Sequence, residues 1–179
     1  MCLRYILKLD LNRVHNLAPK GSRLPPCPPI NARMLSQLVD TLDLESPLDM
    51  VITACATTTF WGQCHLRELL PASLAAISHN PLPTRADFKR SICNPQSCLL
   101  HLPHTKTHRH GQDVVLVDQN HTINPIALIK KHFRINNVPN QSFIFSFTTA
   151  GGPSYLTKAI FLHRCNTIWQ QLGLVLRQL

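Results

Sequence analysis

Residues 46–70, SPLDMVITACATTTFWGQCHLRELL, contain the longest candidate for a buried helix in this chain. Ser46 can act as the N-cap of that helix, and Pro47 suits its first turn. Asp49 completes a pattern similar to a capping box and places a negative charge at the helix start. These signals together predict that a helix begins at Pro47.

The run from Met50 to Cys64 is apolar but rich in threonine, which is typical of a helix buried inside a protein. It is shorter than the ~18 uncharged apolar residues that a membrane span needs. We predict that the helix extends to about Phe60 and that the chain kinks at 61–63. Residues 64–70 are expected to be helical again, up to Pro71.

The charge of the chain is high and unevenly distributed. Lys and Arg number 18 against 9 Asp and Glu among 179 residues, a formal net charge of +9. Asp118 is the last acidic residue, and the cations that follow it are Lys130, Lys131, Arg134, Lys158, Arg164 and Arg177. Such a basic segment favours a polyanionic partner, with nucleic acid first and an anionic membrane second. The alternative is an ordinary basic protein.

Neither the first residues nor the cysteines indicate secretion. Residues 1–10 contain Arg4, Lys8 and Asp10, unlike the apolar region of a signal peptide. Seven cysteines are an odd number, and reduced thiols suit an intracellular protein, nuclear or cytoplasmic. We expect no membrane partner, because no stretch is long and apolar enough to span a bilayer.

The rest of the chain predicts an α+β fold that is mainly helical. Residues 18–30 form a proline-rich linker, and Asn31 caps the next helix. Three short strands are predicted at 86–92, 99–103 and 114–117, forming a small three-stranded antiparallel sheet. Helices follow Asn124 and Thr157, with a loop rich in Ser, Thr and Gly between them that ends at Pro153.

Several segments, taken in order, resemble one protein family. Residues 60–70, FWGQCHLRELL, are similar to a box in which an Arg stands three residues before Glu-Leu, and 102–107, LPHTKT, to a Thr-Lys hairpin. Residues 124–125, Asn-Pro, and 156–169 resemble the segments that come next. Over roughly residues 17–173 the chain resembles tyrosine recombinases, in particular the integrase-like DNA breaking-rejoining proteins of fungal mobile elements.

The resemblance implies a partial catalytic domain for phosphoryl transfer through a covalent phosphotyrosine, without metal or other cofactor. In that family chemistry Lys106 matches the general acid on the hairpin, and Glu68 matches the acidic residue that braces the site. His65 stands in the place of the first-box Arg, although a His offers a phosphate at most one bond. Arg67 lies about 200° further around a helix and is assigned to the DNA backbone instead.

The family's second box, His-x-x-Arg, and its nucleophilic Tyr would follow the last helix, and neither is found within these 179 residues. Tyr5 and Tyr155 are not in the corresponding place. We therefore expect residues 31–179 to be a truncated, inactive catalytic-like domain. Residues 1–17 would be the tail of a missing N-terminal core-binding domain, joined to it by 18–30.

The expected function is DNA binding related to DNA recombination and integration, without catalysis. The residues expected to contact the DNA backbone are Arg67, Lys106, Arg109, Lys130, Lys131 and Lys158. Binding to a second copy of the same chain is the other partner that stays open.

Two other classes of function stay open. A zinc protein is the first, since six potential ligands lie within 18 residues: Cys93, Cys98, His101, His104, His108 and His110. Only five residues separate Cys98 from His104, whereas a zinc finger has ~12 residues between its Cys pair and its His pair. We therefore predict no metal. The second class is a protein–protein module, which would use the apolar surface that the missing C-terminal helices leave exposed.

Overall fold

The computed structural model describes residues 30–73, 81–105 and 111–174, which pack around one hydrophobic core. The expected domain tail at 1–17 lies outside the described residues, as does the expected linker apart from Ile30. None of the helices in the described ranges is long and apolar enough to cross a membrane.

The described elements follow the expected order of helices, a small sheet and further helices, which confirms the α+β class. The helices are α1 (Ala32–Thr41), α2 (Pro47–Gly62), α3 (Leu66–Leu69), α4 (Pro125–Ile135) and α5 (Lys158–Gln171). The strands are β1 (Phe88–Arg90), β2 (Ser97–Leu102), β3 (Gln112–Val117), β4 (Ser146–Thr149) and β5 (Gly152–Tyr155), with a 3-10 turn at Arg85–Asp87 before β1.

Helix α2 is the element around which the others pack. Its residues from Asp49 to Thr58 are all buried, and it contacts α1, α4, β3 and β4. Gln63 ends the helix in the left-handed conformation, with φ of 51°, and its N–H donates to the carbonyl oxygen of Thr59. The prediction of a buried helix followed by a break at 61–63 is confirmed. The second helical stretch is the single turn α3.

The threonines of α2 are tolerated in the core because their hydroxyls bond to the helix itself. Thr53, Thr57 and Thr58 are 0% exposed. Each donates its hydroxyl to a carbonyl oxygen one turn earlier, at 2.7–2.9 Å. A buried hydroxyl left without an acceptor would cost about 1–3 kcal/mol. These bonds therefore let a threonine-rich helix be covered on every side.

The first sheet has the order β1-β2-β3 and is antiparallel throughout, as predicted. Leu100 at its centre pairs with Phe88 of β1 and Val114 of β3. One side of this sheet faces the core, and the other side carries Val115 and Val117, which are 55% and 45% exposed. The predicted strands are confirmed, with ends that differ by up to a few residues.

A second sheet, the hairpin β4-β5, lies where the sequence predicted only a loop. The prediction was wrong because Gly152 and Pro153 at the start of β5 are poor strand formers. Pro153 is accommodated opposite Thr148 because β5 is an edge strand of a two-stranded sheet. Gly152 has φ of 110°, which closes the turn after β4.

An ion pair joins the start of α2 to α5. The guanidinium of Arg164 donates through Nε to Oδ1 of Asp49 at 3.0 Å and through Nη2 to Oδ2 at 2.7 Å. The backbone N–H of Asp43 donates to the same carboxylate at 3.2 Å. The side chain of Asp49 is only 8% exposed, and that of Arg164 is 36% exposed. The side-chain hydrogen bond to Asp49 raises the pKa of the Arg164 guanidinium above its usual value.

A buried histidine joins α4 to the segment before β4. His132 is 0% exposed, and its Nε2 lies 2.9 Å from the carbonyl oxygen of Ile144. Nδ2 of Asn136 donates a hydrogen bond to Nδ1 of His132 at 2.9 Å. Oδ1 of Asn136 accepts a hydrogen bond from the backbone N–H of Thr148. Nδ1 must therefore be the acceptor, and the neutral ring carries its proton on Nε2. Burial lowers the pKa of His132 to about 4.

The pairing of Asp49 with Arg164 is expected to stabilise the fold more than an exposed ion pair does. Arg164→Met should lower the free energy of unfolding by about 2–3 kcal/mol, because it leaves a buried carboxylate uncompensated. Lys131→Met, which removes the more exposed pair with Glu45, should cost less than about 1 kcal/mol. Chemical denaturation measures both values, and equal losses would contradict the role given to Asp49.

Acid should destabilise the protein through His132. The unfolded chain binds a proton at this residue below about pH 6.5, whereas the folded protein does so only near pH 4, so stability falls as the pH drops through that window. The loss is expected to be about 2 kcal/mol between pH 7 and pH 5. Denaturation curves of His132→Gln should lack this part of the pH dependence. The exposed-site control His163→Gln should retain it, and unchanged dependence in His132→Gln would refute the assignment.

Candidate nucleic-acid interface

The segment that resembles the first recombinase box is positioned by contact between α2 and the first sheet. Gly62 lies so close to β3 that a Cβ atom there would come within 2.9 Å of Val114 and 3.3 Å of Leu116. Cys64, which follows, is buried, and burial raises the pKa of its thiol to about 12. The chain therefore passes directly from the buried helix to His65 at the protein surface.

His65 and Glu68 are brought together, but not in the way the sequence predicted. His65 is not within a helix: its backbone is extended and it precedes α3, so the expected helical offset between it and Arg67 does not apply. Oε2 of Glu68 accepts a hydrogen bond from the backbone N–H of His65 at 2.9 Å. Glu68 thus holds the start of the turn that presents His65 and Arg67, both of which are exposed. Through this contact the carboxylate of Glu68 positions the turn.

The hairpin that would supply the general acid joins β2 to β3. Its tip, with Lys106 and Arg109, lies outside the described residues. Thr105, at its root, is 4% exposed. Close by, Nδ1 of His101 on β2 lies 2.7 Å from Oδ1 of Asp113 on β3, an exposed pair across the two strands.

The cations of α4 point in different directions. Nζ of Lys131 lies 2.7 Å from Oε1 of Glu45, so its charge is compensated by that carboxylate. Lys131 and Arg134 border a cleft of about 600 Å³ that also includes Asp118. Lys130 is exposed on another side, towards the first sheet. Lys130 and Lys131, both expected to contact the DNA backbone, therefore lie on different sides of α4.

Lys158 lies at the start of α5, beside the end of α3. Its backbone N–H donates to the carbonyl oxygen of Pro71 at 3.0 Å, and the residue is exposed. This bond brings the N-terminus of α5 next to the segment that carries Arg67. The fold thus places two of the expected DNA-contacting residues on neighbouring pieces of chain.

Two cations that the sequence did not single out line the same cleft as Lys130. Arg85 and Arg90 line a cleft of about 540 Å³ together with Lys130 and the rings of Phe88 and Phe133. The signal that could have found Arg90 is its alternation with Phe88 in β1, which puts both side chains on the core-facing side. Nothing in the sequence order links that strand to α4.

The potential zinc ligands that the structure describes are not gathered into a site. Among the described residues no group of three or more Cys, His, Asp or Glu side chains is arranged to hold a metal ion. Cys93 is exposed and Cys98 is buried, where burial raises the pKa of its thiol. His108 and His110 lie outside the described residues.

In comparisons with known proteins, no protein-family model and no curated protein matches the chain.

Proposed function

We propose that this chain is a DNA-binding protein related to DNA recombination and integration, which contacts the DNA backbone and does not cut it. The observation that supports the proposal best is the charge of residues 119–179, six cations without an acidic residue. Of these, Lys130, Arg134 and Lys158 are exposed in the structure. Exposed cations bind DNA phosphates regardless of base sequence and release counterions when they do.

The resemblance to tyrosine recombinases supports the same proposal. Under that hypothesis the domain presents Arg67 and Lys158 to the backbone on adjoining segments, with Lys106 and Arg109 on the hairpin. The protein then works inside the cell, in the nucleus or the cytoplasm. The free thiols of all five cysteines in the described residues are in keeping with a reducing compartment.

The proposed absence of cleavage follows from His65. An imidazole cannot give a phosphate the two parallel hydrogen bonds of a guanidinium. Tyr155 is no substitute for the nucleophile, because it is half-buried in β5 and its ring packs edge-on against Phe143 with centroids 5.3 Å apart. Loss of a single group that stabilises charge in the transition state lowers the reaction rate about 10²–10³-fold.

Binding to duplex DNA should weaken steeply with salt, with a log–log slope near −0.9 for each phosphate contacted. Arg67→Gln and Lys158→Gln should each weaken binding and make that slope shallower by about one contact. Lys131→Gln is the matched control and should change binding less, because Glu45 already compensates its charge. Fluorescence anisotropy over a salt series measures these values.

A flat salt response would contradict DNA binding and favour the protein–protein module instead. The exposed side of the first sheet, with Val115 and Val117, is the apolar surface that such a module would use.

No covalent protein–DNA adduct should form when the chain is incubated with nicked suicide substrates and separated on a denaturing gel. An active tyrosine recombinase with its own substrate serves as the positive control. His65→Arg should not restore the adduct, because the nucleophile is still lacking. An adduct that disappears in Tyr5→Phe or Tyr155→Phe would overturn the proposal of inactivity.

A further inference from the structure

The cleft between β1 and α4 combines positive charge with aromatic surface. Its three cations are Arg85, Arg90 and Lys130, and among the described residues that line it none is acidic. Its volume of about 540 Å³ lies within the ~300–1,000 Å³ typical of sites for small ligands. The cleft is therefore large enough for an anion with an attached ring.

Strand and helix geometry explain why these side chains meet. In β1, Phe88 pairs with Leu100 and Arg90 with Cys98, and both partners on β2 are buried on the core side of the sheet. Phe88 and Arg90 therefore project towards that side too, because alternate residues of a strand share a face. On α4, Lys130 and Phe133 are three residues apart and share a face of the helix. The two elements thus each contribute one cation and one ring.

Arg85 is held in place and helps to shape the cleft. Its guanidinium donates to the carbonyl oxygen of Val138, and its Cζ lies 4.9 Å from the ring centroid of Phe133. The rings of Phe133 and Phe88 meet edge-on, with centroids 5.8 Å apart. Such a cation–π contact and ring pair restrict side-chain rotation, so the wall is ordered before a ligand arrives.

The two exposed cations act on one point at the base of the cleft. Lys130 and Arg90 both lower the pKa of the Cys98 thiol, against the burial that raises it. Asp118 raises the pKa of the same thiol. The carboxylate of Asp118 accepts a hydrogen bond from Nδ2 of Asn124. Lys130 on α4 and Arg90 on β1 therefore approach the same buried thiol from the two walls of the cleft.

We propose that this cleft binds a nucleotide, with the phosphate held by Arg90 and Lys130 and the base packed against Phe88. A guanidinium donates two parallel bonds to a phosphate, and an ammonium adds a point charge. An aromatic ring beside those cations provides stacking surface for a base of any sequence. The nucleotide is either free or one unit of a single strand. The site goes beyond the proposed backbone contacts with duplex DNA, because it adds recognition of a base.

Calorimetric titration of the full chain with deoxyadenosine monophosphate, inorganic phosphate and a short oligodeoxyadenylate tests the site. The nucleotide should bind saturably and about tenfold more tightly than inorganic phosphate, since stacking adds to the phosphate contacts. Tighter binding of the free nucleotide identifies it as the ligand, and tighter binding of the oligonucleotide identifies a single strand. Either result supports the site. If neither the nucleotide nor the oligonucleotide binds saturably, the proposal is overturned.

Three variants and a matched control locate the binding. Arg90→Gln and Lys130→Gln should each weaken nucleotide binding about tenfold. Phe88→Leu should weaken binding of the nucleotide but not of inorganic phosphate. Lys89→Gln removes a cation from the neighbouring position of β1, on the opposite side of the strand, and should leave affinity unchanged. Equal effects of Lys89→Gln and Arg90→Gln would overturn the inference.

The titration also separates this inference from the proposed function. Thermal melting first establishes that each variant is folded. Weaker duplex DNA binding in Lys158→Gln, with unchanged nucleotide binding, supports both proposals. Nucleotide binding without any salt-dependent binding to duplex DNA supports the cleft and refutes only the backbone contacts.

Discussion

A helix that is covered on every side has no water to satisfy its polar groups, and the structure depends on how α2 meets this constraint. Its threonine hydroxyls bond to carbonyl oxygens of the same helix. Its one buried carboxylate, Asp49, is matched by Arg164 from the far end of the described chain. Once these groups are satisfied, α2 can pack against α1, α4 and both sheets.

The same principle governs the contact between α4 and the segments that flank β4. Asn136 bonds to His132, to the carbonyl oxygen of Pro47 and to the N–H of Thr148. These bonds link α4 with the start of α2 and with β4. Since the histidine is neutral, the network holds the fold without a buried charge. Its histidine is therefore a structural residue rather than part of a site.

The positive charge of the last third of the chain is divided between ion pairs that hold the fold and exposed cations that line clefts. Arg164 and Lys131 pair with Asp49 and Glu45, which come from the first half of the chain. Lys130 instead joins Arg85 and Arg90 from a different part of the sequence. Net charge is therefore read from the sequence, but the fold decides which cations converge on one surface.

The sequence by itself determined the α+β class, the buried helix from Pro47 and the three-stranded sheet, because each depends on local periodicity, capping and strand propensity. It did not reveal β4-β5, since pairing with Thr148 and Thr149 outweighs the low strand propensity of Pro153 and Gly152. Nor did it place His65 before α3 rather than within a helix. Only the tertiary structure decided which cations are paired and which converge on a cleft, because those contacts join residues that are distant along the chain.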